Sequence, residues 1–163
     1  LGAEVAVTAS SEEKLSACRQ LGAGLTIDYT TTDFAQVLAQ QWPEGINLIL
    51  DPVAGDYIRR EIPLLAMDAK VVIYAMMGGR DIPNLDLAAL FKRRGQLICS
   101  TLRNRSNRYK TNLTQAFSHA FGKALAQRQL QPVLQQQFYW QQAEQAHQLM
   151  ASNATVGKLV LTF

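Results

Sequence analysis

Ser10, Ser11 and Lys14 stand within about one helical turn of one another, directly after the apolar run Val5-Ala6-Val7. Hydroxyls and backbone N–H groups at a helix start, with an ammonium one turn in, make a pocket for an anion such as the 2′-phosphate of NADP. A cation in the first turn opposes the helix dipole by roughly a few tenths of a kcal/mol, so an anionic partner would account for it. The same residues also serve as an ordinary N-cap and a solvated lysine, and their types alone leave both readings open. An NAD or S-adenosylmethionine site usually places Asp or Glu after this strand to accept hydrogen bonds from the ribose hydroxyls. Here the position holds Ala9 and the two serines. Tyr29, at the end of a second strand, would lie near the same pocket, although an aromatic there is most often packing.

Other chemistry-bearing residues point elsewhere or nowhere. Cys18 falls in a helical stretch and Cys99 inside the apolar run Leu97-Ile98-Cys99, which suits small buried hydrophobes in a reducing compartment better than a disulfide. His119 and His147 have no carboxylate or thiol at ligand spacing, so no metal site is expected. Asp51 follows a strand, a place that suits a base, but such a residue often caps or orders the neighbouring loop. The basic run Arg103 to Lys110 reads as a solvated loop and helix start, and a formal net charge of +3 over 163 residues is too small to imply nucleic-acid binding. No apolar run reaches the roughly 18 residues of a membrane span and no signal peptide is visible, so a cytoplasmic protein is expected. Leu1-Gly2-Ala3 reads as the C-terminal cap of a helix whose body lies upstream.

The elements that must position these residues alternate as in βαβ units around a parallel sheet. Strands are expected at Glu4 to Thr8, Leu25 to Asp28, Ile46 to Asp51, Lys70 to Tyr74 and Gln96 to Ser100. Three of them are apolar on consecutive residues, as strands covered on both faces should be. Helices are expected at Ser11 to Leu21, Thr32 to Gln41, Asp56 to Leu65 and Leu85 to Lys92. Ser10 to Glu13 and Thr30 to Asp33 supply start signals, and Gly22 a stop. After Thr101 come a long helix, Asn107 to Gln127, a strand at Gln135 to Tyr139, a helix at Gln141 to Ala151 and a strand at Lys158 to Thr162.

Several strings occur in order along nearly the whole chain: Val7 to Leu15 (VTASSEEKL), Leu21-Gly22-Ala23, Asp28-Tyr29, Asn47 to Asp51 (NLILD), Tyr74 to Gly79 (YAMMGG) and Gly157 to Leu161 (GKLVL). Together they resemble the zinc-independent, zeta-crystallin-like quinone oxidoreductase branch of the medium-chain dehydrogenase/reductase superfamily. The resemblance implies that Ser11, Lys14 and Tyr29 hold the 2′-phosphate of NADPH and that Asn153 reaches the same phosphate. It also implies that Val53, Tyr74, Ala75 and Met76 pass beneath the ribose and nicotinamide. Ser10, Ala54, Ala69 and Ala75 stand where relatives commonly have glycine, so methyl groups at Ala54 and Ala75 are candidates to crowd the cofactor.

The expected fold is α/β, a Rossmann-type doubly wound, mostly parallel sheet truncated before its second strand, with the strand and Gly-rich turn that hold the pyrophosphate lying before residue 1. Residues 1–130 would be the truncated NADP-binding domain and 131–163 a segment returning to a catalytic domain. If a strand is lacking between Glu4 to Thr8 and Ile46 to Asp51, either those two should pair directly or Lys158 to Phe163 should enter, because buried unpaired backbone groups cost about 1 to 3 kcal/mol each. The expected parent function is reduction of a quinone or related small electrophile by NADPH, with no assigned catalytic residue. Relatives also imply a homodimer through the strand at Gly95 to Thr101. The alternatives are a non-catalytic dinucleotide-binding or interaction module and, less in keeping with the missing acid, a methyltransferase-like domain.

Overall fold

The computed structural model describes residues 2–163. The chain forms two compact units, Leu1–Thr30 with Thr111–Phe163, and Thr31–Lys110.

In the first unit, β1 (Ala6–Ala9) leads into α1 (Glu12–Gln20) and β2 (Leu25–Asp28), and the two strands pair in parallel, Ala6 opposite Leu25 and Ala9 opposite Asp28. Leu15 and Ile27 are buried in this βαβ piece. The same unit takes in most of the long helix that runs on from residue 107 and ends with β6 (Leu134–Tyr139) and β7 (Lys158–Thr162), also parallel, joined through a helix at Ala143–Ala151. Phe138 and Ala146 are buried there.

The second unit begins with α2 (Phe34–Gln41), followed by β3 (Ile46–Asp51), α3 (Asp56–Glu61), β4 (Leu65–Ile73), α4 (Leu87–Lys92) and β5 (Gln96–Cys99). The three strands form one parallel sheet in the order β3-β4-β5. Its core is Ile58, Ile62, Leu65, Ala66, Ala69, Val71 and Leu90. The helices beyond residue 106 are α5 (Asn107–Ala126) and α6 (Ala143–Ala151).

Three expectations need correction. The helix expected at Asp56 to Leu65 stops at Glu61 and continues only as a 3₁₀ turn over Ile62–Leu64, since Pro63 cannot donate the next helical hydrogen bond. β4 therefore starts earlier, at Leu65, and is bulged: Ile46 opposes Leu65 but Leu48 opposes Lys70, with Asp68 at φ 60 in between. The consecutive apolar residues of β3 are not covered on both faces, since Leu48 and Leu50 are 53% and 62% exposed.

Among the described residues β1 pairs with β2 alone, β3 with β4 alone, and β7 with β6, so neither expected closure occurs. The helix cap expected at Leu1 to Ala3 rests partly on Leu1, which lies outside the described residues, while Gly2 has φ 76. No helix among the described residues is long and apolar enough to cross a membrane.

Candidate functional site

Four of the eight expected cofactor residues lie in the first unit. Ser11 is the N-cap of α1, in extended conformation at φ −155 and ψ 153, and its hydroxyl accepts a long hydrogen bond from Lys14 N at 3.4 Å. One turn in, the Lys14 ammonium donates to the backbone O of Asn153 at 2.6 Å and to its side-chain Oδ1 at 2.9 Å. Asn153 follows the C-cap of α6 and sits at φ 56, a left-handed position that asparagine tolerates better than most residues. The ammonium thus meets the negative end of the α6 dipole as well as the asparagine amide. No local pattern marks this pairing across 139 residues; the fold brings the lysine and asparagine together.

Tyr29 is fixed by its backbone, with Tyr29 N donating to Ala9 O at 3.2 Å, two residues before Ser11. The preceding Asp28 accepts from Thr30 Oγ1 at 2.5 Å and Thr30 N at 2.8 Å. Those hydrogen bonds hold its carboxyl below the usual carboxylate range. The Tyr29 side chain is 41% exposed. A capping hydroxyl, an ammonium and an amide meet at one helix start, groups whose chemistry suits a phosphate monoester.

The other four lie in the second unit, on two adjoining turns. Both oxygens of Asp51, at the end of β3, are used locally: Oδ1 accepts from Val53 N at 2.6 Å and Oδ2 from Ala54 N at 2.8 Å. Asp51 thus orders the loop that follows it. Tyr74 N donates to Asp51 O at 3.0 Å, Met77 N to Pro52 O at 3.1 Å and Gly78 N to Val53 O at 2.7 Å, so the turn after β4 is laced to the turn after β3. Val53, Tyr74, Ala75 and Met76 are accordingly neighbours along one pair of strand ends. Tyr74 and Met76 are 55% and 64% exposed, Val53 and Ala75 half-buried. Ala54 takes a left-handed φ of 59, but it is only 5% exposed, so its methyl lies within the packing of the turn.

Sequence reasoning missed Glu61. It is 6% exposed, its Oε2 has no hydrogen-bond partner, and burial raises its pKa to about 8, helped by the nearby charge of Asp51 and opposed by Arg60. A glutamate following Arg59 and Arg60 at a helix end reads as surface, and no local signal marks it otherwise.

Residues 21–161 match the family model described as zinc-binding dehydrogenase. The chain is 27% identical over 164 residues to 2-haloacrylate reductase of a Burkholderia species, covering 99% of this chain and 48% of that protein. A solved 2-haloacrylate reductase is 28% identical with a TM-score of 0.78, covering all of this chain and 51% of the other. A quinone oxidoreductase from Pseudomonas syringae pv. Tomato is 23% identical with a TM-score of 0.81, covering all of this chain and 50% of the other, a likeness of fold. The chain thus spans about half the length of these proteins. Among the described residues no group of three or more His, Cys, Asp or Glu is placed so that it could hold a metal ion. A parallel α/β architecture of Rossmann type and a family match over residues 21–161 place the chain in the zinc-binding dehydrogenase family of the medium-chain dehydrogenase/reductase superfamily.

Proposed function

We propose that this chain provides the NADP(H)-binding part of a reductase that delivers hydride to a quinone or a related conjugated electrophile, without zinc. The observation that carries the reading is the Lys14 ammonium held at the start of α1, beside Ser11 and Asn153, where an NAD site would place an acid. Lys14, Ser11, Tyr29 and Asn153 are the proposed partners of the adenosine 2′-phosphate. Val53, Tyr74, Ala75 and Met76 are the proposed wall against the ribose and nicotinamide. When bound, the nicotinamide supplies the hydride; the residues of this chain bind, orient and shield, which is the larger part of what such a transfer needs. Residues 1–130 are the proposed cofactor domain and 131–163 the segment leading to a catalytic domain. The names 2-haloacrylate reductase and quinone oxidoreductase support an activated alkene or carbonyl as acceptor. We propose further that two copies pair antiparallel through β5, near Ile98 and Ser100.

Binding titration with NADPH and NADH tests the cofactor half. The chain contains no G-x-G-x-x-G string, so the expected affinity is in the high-micromolar range, roughly. Lys14→Ala should weaken NADPH binding by about tenfold to a hundredfold and leave NADH nearly unchanged, because only NADPH carries the 2′-phosphate. Equal weakening of both would overturn the phosphate assignment.

A further inference from the structure

Asp51 and Glu61 are the buried charged or polar side chains among the described residues, 1% and 6% exposed. α3 starts immediately after the turn that Asp51 closes and ends on Glu61, and the charge of Asp51 acts on that carboxyl. The two carboxyls are treated unequally. Asp51 is saturated by the amides of Val53 and Ala54, whereas Glu61 Oε2 finds no partner. Two anions in such a site would repel with nothing between them, and a buried anion without hydrogen bonds is costly in its own right.

The surrounding charges offer little relief. Arg60 is the cation acting on Glu61, but it is engaged by Asp33 at 2.9 Å and lies over the Phe34 ring at 4.0 Å. Asp56 and Arg59, on the same helix, are paired with each other at 2.7 Å. The adjoining 3₁₀ turn, Ile62–Leu64, and the core residues Ile58, Ile62 and Leu65 carry no charge. A bound cation is not the answer either, since the described residues contain no cluster of three or more ligating side chains. A proton on Glu61 is the remaining way to avoid a second buried negative charge.

We infer that Glu61 is a proton-holding positioning residue: its buried neutral carboxyl spares Asp51 a second nearby charge and so keeps the Pro52 to Gly55 turn closed, and release of that proton to solvent loosens the turn and the Met77–Gly78 segment tied to it. The turn carries Ala54 at φ 59 and Gly55 at φ 57, and the two Asp51 hydrogen bonds help to hold it together with the Met77 and Gly78 amides. A second negative charge beside Asp51 pushes on the group that anchors the turn.

Linkage gives the direction of the pH effect. The folded chain holds this proton up to about pH 8, whereas the unfolded glutamate releases it near 4.5, so the stability it contributes is full below about 4.5 and is lost as the pH rises through that window. Across it, the unfolding equilibrium constant should rise by up to about tenfold per pH unit relative to Glu61→Gln, which has the same shape and no proton to lose. All measurements are made on the full chain without cofactor, so failure of the cofactor assignment leaves this inference standing, and the reverse.

The first measurement is a carbon-13 NMR titration of the Glu61 carboxyl in the native wild-type chain, which needs no variant to fold. A midpoint above pH 7 is expected; a midpoint near the ordinary carboxylate value overturns the inference. The second is amide-exchange protection at Val53 and Ala54, expected to fall about tenfold from pH 6 to pH 9 in the wild type and to stay level in Glu61→Gln. Identical pH profiles in the two proteins overturn the link between the proton and the turn.

Discussion

Gly55 shows how much of the second half-site rests on single residues. Its φ of 57 with ψ −130 belongs to a region that side-chain-bearing residues scarcely enter, and a Cβ there would come within 2.9 Å of Gly78 O. Gly55→Ala should lower stability by about 2 to 3 kcal/mol and separate the turn after β3 from the turn after β4. Denaturant unfolding checks the first effect; a loss under about 0.5 kcal/mol would show that the turn can rearrange. Legibility at this scale followed local chemistry. Ser11 and Lys14 stand out by type and spacing because capping is a local event. Asn153 does not, since what matters about it is a partner 139 residues away, and only family resemblance pointed to it. Glu61 was invisible because its burial is decided by how α3 packs and not by its neighbours in sequence.

At the scale of elements, the helix ends divide legible from hidden structure. α1 stops with Gly22 at φ 100, where Gly22 N bonds Arg19 O at 2.9 Å and Ala23 N bonds Cys18 O at 3.0 Å. This is the Schellman arrangement, and the glycine announces it. α4 ends in the same way with Arg94 at φ 50, Arg94 N bonding Phe91 O and Gly95 N bonding Leu90 O, both at 3.0 Å. α5 does so with Arg128 at φ 57. An arginine gives no sign of a left-handed residue, so those stops could be found only by where apolar periodicity ends. Arg94 is held by its ion pair with Asp68, itself left-handed in the bulge of β4. α2 offers a related lesson: the Thr-x-x-Asp opening suggested a start at Thr32, but Asp33 is the cap and accepts from Ala35 N at 2.9 Å. Gly22→Ala meets no atom within 4 Å, so it should cost only backbone strain, about 1 kcal/mol, and leave the fold intact. Unfolding measurements showing a loss of several kcal/mol would mean that the α1 stop has a further role.

For the whole molecule, the proposed pairing of copies is tested at β5, which hydrogen-bonds β4 along one edge and leaves Ile98 37% exposed. Ile98→Lys puts a charge on that edge without touching the backbone, and Ile98→Pro removes a ladder donor. Light scattering should show the wild type at twice the chain mass and both variants shifted toward one; a wild-type monomer would refute the pairing. The parallel α/β class was legible from alternation alone, because each strand is followed by a helix. The division of strands among three separate sheets was not, since periodicity says which residues form strands and nothing about which strands meet. The parallel ladders carry a kinetic consequence. Each pair, as Ala6 with Leu25 or Lys70 with Gln96, has a helix between its strands, so none can zip from a tight hairpin. Every ladder must wait until its crossover is laid down, and folding should be slow for a chain of this length, with the rate set by loop closure. On a ribosome β3 and β4 would emerge and pair before β5 is made, so the apolar edge of β4 spends that interval bare, and chaperone capture is to be expected there.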